Sequence, residues 1–200
     1  MSALFDRLRQ LFDEGHGVEL PDLRSDAGFA PPEVRPAAVL IAVTDRSEPG
    51  VLLTHRPEGM RAHPGQVAFP GGKLDPGEDA VAAALREAKE ELAIAPADVR
   101  IIGASDRFVT GSGYDVTPVL GLVPPDLPLV PNPLEVAAWF EAPLHFILDP
   151  GNHVQRVGEW RGRRRPYLEI EWEGHRIWGI TAAIIANLSR RIAWRDLANG

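Results

Sequence analysis

Leu4, Leu8, Leu11 and Phe12 recur at three- and four-residue steps with acidic positions between them, which predicts an amphipathic N-terminal helix. Residues 15–36 are rich in Pro, Gly and Asp and read as a linker or an arm laid over the surface. Short apolar, β-branched runs follow at 37–43 and 51–54, separated by a turn-forming stretch, and predict a hairpin. A third short strand at 67–69 leads into Pro70-Gly71-Gly72, read as a glycine turn. Val81, Leu85, Ala88 and Leu92 then share one helical stripe, and this helix is expected to run on until Pro96 stops it. Strands are expected at 99–104, 116–123 and 136–140, with the five-proline segment 124–133 as a loop. Farther on, 155–160 and 167–172 flank the basic tip Arg161 to Arg165 as a hairpin, and 176–178 adds a short strand. Residues 181–194 predict a last helix, with Ile184, Ile185, Leu188 and Ile192 at helical spacing and Thr181 as N-cap. The order strands, helix, strands, helix predicts an α/β fold with a mixed sheet between two helices. One domain is expected over 37–194, preceded by the helix and arm of 1–36 and followed by a tail, 195–200.

Composition narrows the partners. Two hundred residues with 44% hydrophobic content suffice for one sizeable core. No apolar run approaches the roughly 18 residues of a membrane span, and the N-terminus lacks the basic start and apolar core of a secretory signal. Asp6, Asp13 and Glu14 would be repelled by anionic lipid, so no membrane partner is expected. The apolar face of that helix packs within the chain or forms a homodimer contact through Leu4, Leu8 and Phe12. Absence of cysteine excludes disulfides, thiolate metal sites and cysteine nucleophiles, and fits a reducing cytoplasm. A net charge of −7 argues against a general nucleic-acid binder, so any phosphate recognition must be local.

The acidic positions of the central helix carry the chemistry. Glu87 and Glu91 lie one turn apart, with Glu90 beside them, and like charges at that spacing repel by a few tenths of a kcal/mol. A hard divalent cation reverses that sign, and oxygen ligands suit Mg²⁺ or Mn²⁺. The plain alternative is a solvated helix face on which Arg86 and Glu90 form an ion pair.

Gly72, Glu78, Arg86, Glu87, Glu90 and Glu91 stand in a register that resembles the Nudix box, the signature of hydrolases that cleave a nucleoside diphosphate linked to another moiety. The pattern departs at one place, where the family's glycine two residues after the last glutamate is Ala93. The resemblance implies an α/β/α sandwich, and metal held by Glu87, Glu91 and Glu90 with a backbone carbonyl from the Gly71-Gly72 turn. Arg86 is expected to orient a glutamate, and Glu78 to support the network from the turn side. In the family the general base is a glutamate of the helix or one on a distant loop. Glu90 and Glu135 are therefore both candidates, with Glu141 behind Glu135.

Upstream, the run Leu52 to Arg56 (LLTHR), then Arg61, His63, Gly65, Gln66 and the FPGG ending at Gly72 resemble the added motif of the coenzyme A pyrophosphatase branch. The small pair that usually follows the first arginine is Pro57-Glu58 here. The resemblance covers about residues 37–193 and implies coenzyme A or an acyl-CoA as small-molecule substrate. Arginine forks bind phosphate bidentately, and coenzyme A carries a 3′-phosphate besides its pyrophosphate. Arg56, Arg61 and His63 are thus expected at the substrate. The rivals are ADP-ribose, a dinucleotide or a damaged nucleotide as substrate, or a catalytically silent nucleotide sensor.

Overall fold

The computed structural model describes residues 2–59, 64–160, 162–193 and 195. Its centre is β1 (Arg35–Thr44), which runs parallel to β7 (Tyr114–Val123) and antiparallel to β2 (Gly50–His55). β3 (Val67–Ala68) and β8 (Ala138–Pro143) extend the sheet from β2, and β5 (Arg100–Ala104) and β6 (Phe108–Val109) extend it from β7. The sheet is therefore mixed, as expected. A second antiparallel sheet joins β9 (Val154–Trp160), β10 (Arg163–Trp172) and β11 (His175–Trp178), so the C-terminal hairpin and its third strand form, but Arg163 to Arg165, expected in the tip, are paired with β9 inside β10.

Alternation along β1 builds both layers. Ala38, Leu40 and Ala42 face α2 (Ala80–Leu92) and meet Ala83, Ala84, Ala88 and Leu92. Alanine on both sides lets the helix lie close to the strand. Ala37, Ile41 and Val43 join the opposite core, with Leu8, Leu11 and Phe12 of α1 (Ala3–His16), Leu144, Ile147 and Leu148 of α3 (Leu144–Leu148), and Ile184, Ile185 and Leu188 of α4 (Ile180–Arg191). Each fully buried Val, Leu, Ile or Phe among these contributes about 1.5–3 kcal/mol. The expected pair of flanking helices is thus a correction in number. Among the described residues one long helix covers the first face, and three cover the second.

α1 spends its apolar face inside this chain, since Leu8, Leu11 and Phe12 are all buried. The segment after it is pinned to α4. The Asn187 side chain donates to the Arg24 carbonyl and accepts from the Arg24 amide, and Arg190 donates to the carbonyls of Pro21 and Asp22. Arg191 grips Asp106 through two bonds of 2.7 and 2.8 Å and also donates to the Gly15 carbonyl. That guanidinium holds the Asp106 carboxyl below the usual carboxylate range.

Local expectations shift at several places. Gly71–Lys73 is a short strand, β4, paired with Ala37 to Val39 of β1. β8 begins at Ala138, because the backbone of 134–137 is used in a turn and a bridge to β2. Val81 and Leu85 are only half-buried, and the inward face of α2 centres on Ala84, Ala88, Glu91 and Leu92. Thr181 lies inside α4, whose N-cap is Gly179, and its hydroxyl donates to the Val67 carbonyl at 2.9 Å. The helix expected to reach Pro96 ends at Leu92. Ala93 takes the left-handed conformation, φ 60 and ψ 25, with its amide returned to the Lys89 carbonyl. A Cβ in that region costs about 1 kcal/mol. Ala93→Gly is therefore expected to raise unfolding stability by about 1 kcal/mol, measured as a rightward shift of the denaturant midpoint at constant slope.

Candidate metal and active site

α2 is started by the Asp79 side chain, which accepts from the Ala82 amide at 2.8 Å. From there the helical repeat carries Glu87 and Glu91 toward β4. Gly71 and Gly72 are needed for lateral closeness, since neither has a positive φ. A Cβ at Gly71 would run into the Ala38 carbonyl and Val39, and one at Gly72 into the Glu87 carboxylate.

The structure brings Glu135 to this place from the proline-rich loop. Carboxylate oxygens of Glu87, Glu91 and Glu135 all lie within 4.8 Å of one another. Glu91 is only 5% exposed. Burial pushes its carboxyl up to about 8, opposed by a hydrogen bond from the Gly71 backbone and reinforced by the charges of Glu87 and Glu135. Burial also raises Glu87, against the hydrogen bond from Arg86. Three converging carboxylates, one of them deeply buried, are a costly arrangement in the absence of positive charge. The oxygen-only donor set fits a hard divalent cation such as Mg²⁺ or Mn²⁺.

Arg86 organises the flank. Its Nε and Nη2 donate to the two oxygens of Glu78, each at 3.0 Å, its Nη1 donates to Glu87 at 2.9 Å, and its Nη2 also reaches the Lys73 carbonyl. Glu78 in turn accepts from the Asp75 amide. Glu90 stands apart from the carboxylate trio: its side chain is 52% exposed and accepts from Arg86 at 3.2 Å. The ion pair expected as the plain alternative for Arg86 and Glu90 is therefore present, alongside a carboxylate cluster that does not include Glu90.

A cavity of about 780 Å³ opens beside the trio and is lined by Glu87, Glu91, Glu135, Gly71, Gly72 and Arg56, among others. Arg56 Nε is buried in it without a hydrogen-bond partner among the described residues. Arg61 and His63 lie outside the described residues. Glu141 is elsewhere, on β8, where it accepts from the Thr44 hydroxyl and pairs with Arg46. Of the arginines expected in the basic tip, Arg165 lies in β10 and pairs with Asp26, and Arg161 falls outside the described residues.

The same cavity holds residues that the sequence did not single out. Arg35 lies over the Tyr114 ring, 4.6 Å from its centroid, at the start of the parallel pair β1 and β7. Asn132, which is not part of the lining, takes part in the turn that carries Glu135 into it. Its flanking prolines mark a rigid loop, and the choice of Glu135 as a candidate base already supposed that this loop folds back over the metal site, but the spacing did not point to Asn132.

A sequence model of the NUDIX domain matches residues 34–165. The chain is 44% identical over 164 residues to a protein of Yersinia pestis (strain Pestoides F) described as an uncharacterized Nudix hydrolase NudL, the match covering 80% of each. A protein of Yersinia pseudotuberculosis serotype O:1b (strain IP 31758) with the same description gives the same identity and coverage. Among solved structures, an Ap4A hydrolase of C. elegans in a binary complex aligns with 54% of this chain and 80% of its own, at 24% identity and a TM-score of 0.47. A MutT/nudix family protein from Enterococcus faecalis aligns with 95% of this chain and 71% of its own, at 14% identity and a TM-score of 0.48. With its matched domain spanning most of the chain and its carboxylates gathered beside β4, this protein belongs to the Nudix hydrolases, which act on nucleoside diphosphate derivatives.

Proposed function

We propose that this enzyme hydrolyses the pyrophosphate of coenzyme A or its thioesters, giving 3′,5′-ADP and 4′-phosphopantetheine or its acyl form. The observation that carries the reading is Arg56, which closes the LLTHR run and has, in the cavity of the carboxylate trio, a buried Nε–H without a hydrogen-bond partner among the described residues. A buried donor without a partner costs about 1–3 kcal/mol, and a phosphate oxygen would satisfy it with a charge-assisted bond.

Glu87 and Glu91 would hold Mg²⁺ or Mn²⁺, which when bound neutralises charge on the bridging phosphates. Arg86 keeps Glu87 turned toward the cavity, and the Gly71 backbone does the same for Glu91. Glu135 is the base, because it faces the other two carboxylates while Glu90 is drawn outward by Arg86. It takes the proton of the attacking water, whose oxygen bonds to phosphorus as the bridging P–O bond breaks and the second phosphate leaves as an anion.

Initial rates with Mg²⁺ on coenzyme A, 3′-dephospho-coenzyme A, ADP-ribose and a dinucleotide test the assignment. Coenzyme A is expected to exceed its dephospho form in kcat/KM by about tenfold or more. Arg56→Ala is expected to erase most of that difference. Equal rates for the two forms in the unaltered enzyme would remove the argument from Arg56, and faster turnover of ADP-ribose or the dinucleotide would move the substrate assignment there.

A further inference from the structure

The early end of α2 has a consequence for catalysis. A helix leaves its last carbonyls without partners inside itself. With Ala93 left-handed, the carbonyls of Glu91 and Leu92 are open to a passing strand of chain. The proline-rich loop supplies the donors: Val130 N–H donates to the Leu92 carbonyl at 3.1 Å, and Asn132 N–H to the Glu91 carbonyl at 2.9 Å. The loop is thus fastened to the backbone of one carboxylate of the trio while it carries another.

Asn132 performs the second half of that fastening. Its side-chain Oδ1 accepts from Leu134 N–H at 3.1 Å, and its own carbonyl accepts from Glu135 N–H at 3.0 Å and Val136 N–H at 2.8 Å. Pro131 and Pro133 on either side restrict its backbone, and Pro133 offers no N–H. The next three amides therefore all converge on this one residue. Beyond it, Val136 is buried in the α2-side core and Ala137 N–H donates to the His55 carbonyl at 2.8 Å. Glu135 is held between two fixed points, one of them Asn132.

We infer that Asn132 is a positioning residue for the reaction, setting the Glu135 carboxylate against Glu87 and Glu91 by tying the loop turn to the end of α2. This rests on the reading of Glu135 as base. An alanine at 132 keeps the backbone bonds but releases the Leu134 amide, letting the turn open. Aspartate keeps an oxygen acceptor at the same place, and serine supplies a weaker one.

A double-mutant cycle tests the inference, using Mg²⁺ and coenzyme A or the fastest substrate of the panel above. Asn132→Ala is expected to lower kcat about tenfold with KM little changed, Asn132→Asp to restore most of the loss, and Asn132→Ser to fall between them. In a Glu135→Gln background, Asn132→Ala is expected to cost less than about twofold, because the group it positions is already disabled. If Glu135→Gln is crippled while Asn132→Ala, folded by thermal melting, turns over normally, the inference fails and the reading of Glu135 stands. The same tenfold loss in both backgrounds would also overturn it. Normal turnover of Glu135→Gln removes the base assignment and the inference together. Should the alanine variant not fold, the aspartate and serine variants decide: equal kcat in both, or serine above aspartate, would overturn the role of the Oδ1 acceptor.

Discussion

Glu91→Gln is expected to lower turnover with Mg²⁺ by on the order of 10² or more and, in the absence of divalent metal, to stabilise the protein at alkaline pH. Both effects come from one carboxylate. Glutamine keeps the size of the side chain and an oxygen for the Gly71 backbone donor, so the fold should survive. What it loses is a negative charge that is buried next to Glu87 and Glu135, whose repulsion and the burial outweigh the opposing charge of Arg56. In the metal-free protein the Glu91 carboxyl is pushed up to about 8 from an ordinary 4.5, so the folded state holds this proton more tightly than the unfolded chain. The stability linked to that proton is fully present below the unfolded value and is lost as pH rises through the folded one, by on the order of a few kcal/mol. Thermal melts with a chelator at acid and alkaline pH should therefore show a large alkaline loss in the unaltered protein and a small one in Glu91→Gln. Added Mg²⁺ should recover the alkaline stability of the former only. Turnover of Glu91→Gln within a few-fold of the unaltered enzyme would sink the metal assignment. Equal alkaline losses in the two proteins would remove the electrostatic account of the buried carboxylate.

The part of this site that could be read from the sequence is the part that one helix determines. Glu87 and Glu91 share a face because i and i+4 always do on a helix, and the family resemblance set Arg86 and Glu78 in one network, while their direct pairing is seen only in the structure. Periodicity also located the strands on either side of α2 and the helical face of α1. What local pattern could not supply was the choice between Glu90 and Glu135. Spacing puts Glu90 beside the pair, yet Arg86 draws it outward at i,i+4, while Glu135 arrives from 44 residues beyond Glu91 through amide bonds to carbonyls that carry no side-chain signature. Ala93 misled for a related reason. Alanine favours continuing the helix by about a kcal/mol over the left-handed cap, but the cap is held by the burial of Ile94 and Leu92 and by the docking of the loop on the freed carbonyls. The glycines were recognised as special, though their cause is the close pass of β4 along β1 and α2 and not a turn. Arg35 and Tyr114 reach the cavity only because β1 and β7 start side by side in parallel, a pairing between strands about eighty residues apart that no local period encodes.

Arg86→Lys is expected to behave almost as badly as Arg86→Ala, with kcat down roughly tenfold to a hundredfold in each. The guanidinium makes two parallel bonds to Glu78 and, from the same plane, reaches Glu87 and the Lys73 carbonyl. An ammonium is a point charge. It can neutralise Glu78 or Glu87, but it cannot span the turn before α2, β4 and the helix at once. The shared bonds raise the affinity of Arg86 for its proton, led by the bond to Glu78, so the group stays charged at any working pH and the loss is one of geometry. With the fork removed, Glu87 is free to rotate toward solvent or toward Glu91, and the carboxylates no longer converge. The apparent affinity for Mg²⁺ should then weaken by a comparable factor while KM for the nucleotide substrate, measured at saturating metal, stays near its original value. Guanidinium ion added to Arg86→Ala should recover part of the activity, and methylammonium added at the same concentration should not. A lysine variant with unchanged kcat and unchanged Mg²⁺ dependence would show that charge alone suffices at this position and that the fork to Glu78 has no part in holding Glu87.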